Sequence, residues 1–319
     1  MTPEIRPFAE EDIAGAAELL AERHRRHRAE EPLLPAAYEE PGAAGAEIEA
    51  LWRADGATGA AAFRDGRMAG YLIGTHRDEA VWGQNGWVEL AGHAAIEPED
   101  VRDLYAAVAQ GWVDHGRMRH FALVPATDTA LLDAWFRLSF GQQQACGIRE
   151  VDPNAAWPSG IRHAEPRDVD ALVASAPLLP EHQHRAPAFA FRLTSDDPAE
   201  LRADIENDIA SEEIGCLVAE VDGRLVGCVV VCPIEMSGGV HVGLARPPGQ
   251  SYLAWAETLP DVRGTGVGMA LTEAAHAWAG AAGYTAMVID WRVANLLASR
   301  FWSRRGFRAS FLRLSRTIP

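Results

Sequence analysis

The tripeptide Asp65-Gly66-Arg67 returns at an offset of 157 as Asp222-Gly223-Arg224, each time between two strand-like apolar runs. Aspartate followed by glycine is a two-residue hairpin signal, because both central positions of the favoured turn need positive φ. The other landmarks repeat with it. Glu4-Ile5-Arg6 is echoed by Gly160-Ile161-Arg162, and the helix opener Glu10-Glu11-Asp12 by Glu165-Pro166-Arg167-Asp168. Ala134-Trp135 with Ser139-Phe140 returns at an offset of 167 as Phe301-Trp302 with Gly306-Phe307. A chain of 319 residues built this way is two copies of one unit. The Pro- and Ala-rich stretch 152–159 reads as the linker, which gives domains 1–152 and 159–319.

Within a copy the elements alternate. The first reads as a strand at 4–6, a helix to about Arg28, a helical piece over 46–53, the hairpin, and a strand over 86–95. A helix over 99–112, a strand over 121–124, a helix over 127–138 and a closing strand over 145–151 follow. The second shows a long acidic helix over 197–211, hairpin strands 214–221 and 225–233, a strand over 252–259 and a helix over 269–282. Hairpins mixed with crossovers predict an α/β (α+β) unit whose sheet is mixed rather than fully parallel.

Composition removes several function classes. The formal charge of −16 argues against nucleic acid as a partner. No apolar run reaches the roughly 20 residues that span a bilayer, so no membrane partner is expected. The first residues, MTPEIRPFAEEDI, lack a signal-peptide pattern, which makes the cytoplasm the expected location. Cys146, Cys216, Cys228 and Cys232 form no CxxC pair and read as small buried hydrophobes, and no metal is expected. Charge is segregated, however. Residues 291–319 carry seven arginines and no acid, whereas 196–213 carry eight acids against Arg202 alone. One end suits phosphates; the other suits an amine.

The second copy holds the one stretch with chemistry in it. Tyr252–Leu259 is an apolar run of strand length ended by Pro260, and Arg263-Gly264-Thr265-Gly266-Val267-Gly268 leads at once into an Ala-rich helix. Glycines admit close backbone approach, and the first N–H groups of the helix stay unpaired and face an anion. This turn is therefore expected to hold a pyrophosphate. A dinucleotide turn needs G-x-G-x-x-G, and these glycines alternate instead. In the first copy Asp103, Tyr105 and Ala107 stand at the glycine positions, so that copy is expected to be inert.

Two motifs together resemble the GNAT superfamily of N-acetyltransferases. Arg263-x-x-Gly266-x-Gly268 is similar to its R/Q-x-x-G-x-G/A signature, and Asn295-x-x-Ala298-x-x-Phe301-Trp302-x-x-x-Gly306-Phe307 to its second one. The resemblance covers about 159–319, and the first copy resembles the same fold with its cofactor loop lost. It implies two tandem domains, each a mixed, mostly antiparallel sheet flanked by helices, with acetyl-CoA as co-substrate. It also implies that the strand before the turn splays from 286–291, so that pantetheine pairs along Glu257, Thr258 and Leu259. The amides of Val262, Arg263, Gly264, Thr265, Gly266, Val267 and Gly268 would then take the pyrophosphate. Asn295 and Ala298 would border pantetheine, with Asn295 as a helix N-cap too. Arg300, Arg304 and Arg305 are candidates for the 3′-phosphate, or a solvated helix face.

The chemistry is less determined. Many relatives place a tyrosine acid where this chain has Trp302, and an indole N–H is a poor acid, so Trp302 reads as pocket wall or core. Several relatives carry a glutamate where this chain has Tyr252, so the resemblance makes Tyr252 and Glu257 competing catalytic candidates. Glu257 is the only carboxylate inside the strand and leads the candidates for base, with Asp290 and His241 behind it. The glycine-rich loop 233–250 reads as a lid beside the acceptor cleft, together with the segments around 180–191 and 197–211. The expectation is a cytoplasmic N-acetyltransferase acting on the primary amine of a cationic small molecule. A non-catalytic acyl-CoA-binding or regulatory module and an enzyme for longer acyl-CoA are the alternatives. A duplicated chain has less need of a partner copy, so a monomer is favoured over a dimer.

Overall fold

The computed structural model describes residues 2–79, 82–190, 197–237, 243–246 and 249–319. In chain order its elements are β1 (Glu4–Pro7), α1 (Ile13–Glu30), α2 (Pro41–Trp52), β2 (Ala57–Arg64), β3 (Arg67–Glu79) and β4 (Gly83–Val88). Then come β5 (His93–Ala95), α3 (Asp100–Asp114), β6 (Arg119–Pro125), α4 (Thr129–Phe136) and β7 (Gly141–Glu150). The repeat continues with β8 (Ile161–His163), α5 (Val169–Ser175), α6 (Leu178–His184), α7 (Pro198–Ala210), β9 (Gly215–Val221) and β10 (Arg224–Pro233). It ends with β11 (Gln250–Thr258), α8 (Val267–Ala281), β12 (Ala286–Arg292), α9 (Leu296–Arg304) and β13 (Arg308–Thr317). No helix among the described residues is long and apolar enough to cross a membrane.

Two compact units emerge. The first comprises Met1–Cys146, Val242–Pro247 and Ala309–Pro319; the second comprises Gly147–His241 and Pro248–Arg308. In the first, the strand order is β1-β2-β3-β4-β6-β13, with β5 beside β3. In the second it is β8-β9-β10-β11-β12. Each unit has one parallel contact, β4 with β6 and β11 with β12, among antiparallel neighbours. This is the mixed, mostly antiparallel sheet that the alternation of hairpins and crossovers predicts. The last strand, however, does not stay with the copy it follows in sequence, since Phe311–Thr317 pairs along β6.

The repeat is visible in its hydrogen bonds. Asp65 and Asp222 both sit at φ 51° and the following glycines at 74° and 78°, so the two hairpin turns share one geometry. Arg6 grips both oxygens of Asp12 at 2.8 and 2.6 Å, and Asp12 Oδ2 accepts from Ala9 N. Arg162 grips Asp168 at 2.6 and 2.9 Å, and Asp168 Oδ2 accepts from Glu165 N. The Arg162 guanidinium holds Asp168 below the usual carboxylate range. Each clasp fastens the first strand of a unit to the start of its first helix.

Two expectations change here. Residues 86–95 do not form one strand, because β4 ends at Val88, a single 3-10 turn intervenes, and β5 resumes beside β3. The loop 233–250 is not wholly a free lid either. Leu244 and Ala245 are buried in the first unit's core with Leu20, Ile48 and Tyr71. Residues 238–242 and 247–248 of that loop lie outside the described residues.

Both units bury neutral histidines. His27 accepts no charge easily, since burial and Arg23 push its pKa down to about 4. Burial and Arg149 do the same to His276, whose ring nitrogens have no partner. An unfolded histidine titrates near 6.5, so the unfolded chain gains protons that the folded one refuses as pH falls. Stability present above pH 6.5 should thus drain away between 6.5 and 4. Urea midpoints measured across that window should fall steeply, and His276→Leu should flatten the fall; a pH-independent midpoint would contradict buried neutral rings.

Candidate functional site

The geometry begins with a bulge. Along β10 and β11, Val230 faces Trp255 while Val231 faces Leu253, so Ala254 is an extra residue in β11. An extra residue resets the alternation of side chains. Tyr252 lies opposite Cys232, Trp255 opposite Val230 and Glu257 opposite Cys228, all on one face of the sheet. A regular strand would have put Tyr252 and Glu257 on opposite faces. The bulge brings the two leading sequence candidates together.

That face is covered by α5 and α7, through Leu172, Ile205 and Ile209, with Cys216, Val218, Cys228 and Trp255 beneath. The other face takes α8. There the side chain of Leu253 is buried, and a Cβ on Gly227 would meet Leu271 and Thr258.

On its far side β11 parts from its neighbour. The parallel ladder to β12 runs only through Gln250–Ala286, Ser251–Met287 and Tyr252–Val288. From Leu253 to Thr258 the strand keeps its β10 partners, the bulged Ala254 apart, and has no β12 partner. A row of backbone groups is left there, free to receive an extended polyamide. Glu257, Thr258 and Leu259 sit at its end, with Asp290 on β12 across the opening.

The glycine turn closes the same end. Pro260–Val262 makes one 3-10 turn, and then Gly264 at φ 83° and Gly266 at φ 102° bring the chain into α8. Any side chain at Gly266 would be strained by about 1–2 kcal/mol, although a Cβ there meets nothing. No described backbone group engages the N–H of Gly264, Gly266, Val267, Gly268 or Met269. These donors and the helix dipole make an anion seat. Asp261, the one acid in the turn, is neutralised by Arg224 at 2.6 Å.

On α9, Asn295 is the N-cap: its Oδ1 accepts from Leu297 N at 3.2 Å and Ala298 N at 3.3 Å. The amide of Ala298 is therefore spent on the cap. Trp302 is buried edge-on against Phe301 and Phe307, which makes it core. Arg263, Arg300 and Arg304 are exposed, and none has a carboxylate partner among the described residues. Arg305 lies 5.7 Å over Phe301. The other C-terminal arginines are engaged: Arg308 pairs with Glu150, and Arg313 with Gln143 and Gln144. The basic end is thus narrower than the sequence suggests.

Glu257 is half-buried, and its Oε2 has no hydrogen-bond partner. Burial pushes its pKa up, against opposing pulls from Ser175, Trp255 and Cys228. Tyr252 Oη donates to Asp290 Oδ1 at 2.6 Å, where the two strands begin to part. Asp208 on α7 is raised by burial and by Asp204, and it bears on the thiols of Cys216 and Cys232 on the same sheet face. His241 lies outside the described residues. Sequence reasoning passed over Ser175, Cys228 and His182; no motif or spacing marks them, since all three matter only through tertiary contact.

The first copy fills its corresponding opening from within. Arg23 of α1, wholly buried, donates to the carbonyls of Leu90 and His93, and His93 Nε2 bonds Leu123 O at 2.8 Å. Asp103, Tyr105 and Ala107 are all inside α3, and Tyr105 Oη contacts His120 Nδ1 at 2.6 Å. Helix and side chains occupy what is turn and gap in the second unit.

Residues 181–307 match the Acetyltransferase (GNAT) family. No curated protein matches the chain. Among solved structures, a GCN5-related N-acetyltransferase from Sphaerobacter thermophilus is 15% identical with a TM-score of 0.57, over 99% of this chain and 95% of that one. A GCN5-related glucosamine N-acetyltransferase region of a fungal multi-domain GH3 beta-N-acetylglucosaminidase is 14% identical with a TM-score of 0.53, over 98% of this chain and 38% of that one. A tandem GNAT protein from the clavulanic acid biosynthesis pathway is 14% identical with a TM-score of 0.48, over 99% of this chain and 98% of that one. At these identities the likeness is one of fold.

A desolvated carboxylate stabilises a protein only while it is protonated. With its folded pKa raised above 4.5, Glu257 detracts from stability once pH climbs through that folded value. Glu257→Gln should accordingly raise the melting temperature at pH 8 and leave it nearly unchanged at pH 4. A lower melting temperature at pH 8 would mean the carboxylate is satisfied rather than stranded.

Proposed function

We propose that this chain, whose residues 181–307 form a GNAT acetyltransferase domain, moves an acetyl group from acetyl-CoA to the primary amine of a cationic small molecule. The observation that carries the reading is the parting of β11 from β12 directly before a turn whose backbone N–H groups no described backbone group engages. The opening suits an extended amide-containing arm, and the seat at its end suits the pyrophosphate of that arm. Arg300, Arg304 and Arg263 supply local positive charge that a chain of net charge −16 otherwise lacks.

Transfer forms a C–N bond and breaks a C–S bond. The attacking nitrogen loses one proton, and the departing thiolate gains one. Glu257 is the base in this reading, because a carboxylate raised toward working pH accepts a proton most effectively. Tyr252, held by Asp290 on the same face, is the proton donor to the thiolate. Holding both reactants in one groove supplies much of the rate. Asp208 and the acids of α7 favour an acceptor that arrives positively charged.

A second reading, acyl-CoA binding without turnover, has one observation in its favour: Trp302 is core where many relatives carry a tyrosine acid. Release of free thiol from acetyl-CoA in the presence of an amine panel separates the two. Turnover only with neutral or anionic acceptors would remove the cationic substrate class.

Two substitutions test the site itself. Gly266→Glu places a strained, negatively charged residue at the anion seat and should abolish acetyl-CoA binding in calorimetry; retained affinity would end the assignment. Glu257→Gln should lower kcat by about 10²-fold or more with acetyl-CoA affinity intact, and an unchanged kcat would remove Glu257 as base.

A further inference from the structure

The carboxamide of Asn295 is held by more than its helix. Its side chain is buried, with the residue 4% exposed, and Oδ1 accepts from Leu297 N, from Ala298 N and from His182 Nε2 at 3.2 Å. His182 belongs to α6, a separate element that reaches α9 from 113 positions earlier in the chain. Both backbone partners are donors, so Oδ1 must be the acceptor, and the imidazole must present an N–H to it. Three donors on one oxygen fix which way round the amide sits. The Nδ2 group is then turned away from the cap and makes no hydrogen bond of its own.

We propose that His182 is a positioning residue for acyl-CoA: it locks Asn295 so that Nδ2 is offered to an amide carbonyl of the pantetheine arm. The inference rests on the function proposed above. Asn295 follows directly on β12, with Asn295 N donating to Arg292 O, so its amide stands at the strand that parts from β11. A cap alone needs only the oxygen. An amide whose nitrogen is unspent among the described residues, fixed through its oxygen by a third donor from another helix, is built to give one hydrogen bond outward. His182 touches no reacting atom in this arrangement. Its contribution is the orientation of a neighbour, as outer groups orient inner ones in a preorganised site.

The test uses the full chain, with CoA affinity measured by calorimetry and steady-state kinetics on acetyl-CoA. His182→Phe keeps the ring volume and removes the donor. It should raise Kd for CoA and KM for acetyl-CoA about tenfold, the worth of one oriented hydrogen bond, while kcat at saturation holds. His182→Gln, which can still donate to Oδ1, should restore most of the affinity. Asn295→Asp keeps the cap oxygen and removes Nδ2; it should lose affinity by itself, and adding His182→Phe to it should cost nothing further. An unchanged KM in His182→Phe, or a loss of equal size in the Asn295→Asp background, would overturn the positioning role. Failure of the unsubstituted chain to bind CoA would instead overturn the reading of the site, and this proposal with it.

Discussion

The opening in the second unit depends on where the ladder between β11 and β12 stops. A parallel pair is held by evenly spaced backbone bonds, and nothing in the backbone itself ends such a ladder after three residues. Here the ending coincides with the bulge at Ala254, two residues past the last β12-paired position. A bulge bends its strand and increases local twist. With β10 gripping β11 on one side through to Thr258, the bend carries the strand off β12 on the other. The same residue therefore opens the groove and turns Tyr252 and Glu257 to one face. Cleft and chemistry have a single geometric cause.

The first unit closes the corresponding stretch with its own side chains. Unpaired strand carbonyls in a protein interior are expensive unless something donates to them. Arg23 does so from α1, at the cost of a buried guanidinium whose pKa falls to about 10. His93 spans to Leu123 O as a neutral ring. The α3 helix starts directly at Asp100, whose carboxylate is taken by Arg64 at 2.6 Å. In the first unit the backbone groups of this stretch are met by the protein's own side chains.

Much of this was legible in the sequence, and for a common reason. The Asp-Gly hairpins, the glycine turn and the Asn295 cap are all local devices, in which a few neighbouring residues determine the backbone. The parts that were not legible depend on contacts across long separations. The break between β4 and β5 is stabilised by Arg23, some seventy positions away by the separation of its bonds to Leu90 and His93. The bulge at Ala254 exists only in register with β10. The membership of β13 in the first unit follows from pairing with β6, which no feature of Arg308–Thr317 announces. His182 likewise acquires meaning only when α6 meets α9.

The stranded Oε2 of Glu257 fits the same logic of cause. A fold free to optimise stability would place an apolar residue or a paired acid between Cys228 and Trp255, since a buried carboxylate without a partner is a net cost. Structural carboxylates elsewhere in this chain show the alternative: Asp12, Asp100 and Asp168 are each gripped by an arginine at both oxygens. Glu257 has no such arginine, although the chain uses that device repeatedly. Pairing it with an arginine would lower its pKa, opposite to the direction in which burial moves it. The contrast is therefore between acids whose two oxygens are each held by an arginine, which fasten strand to helix, and Glu257, which has no arginine and keeps one oxygen unpaired.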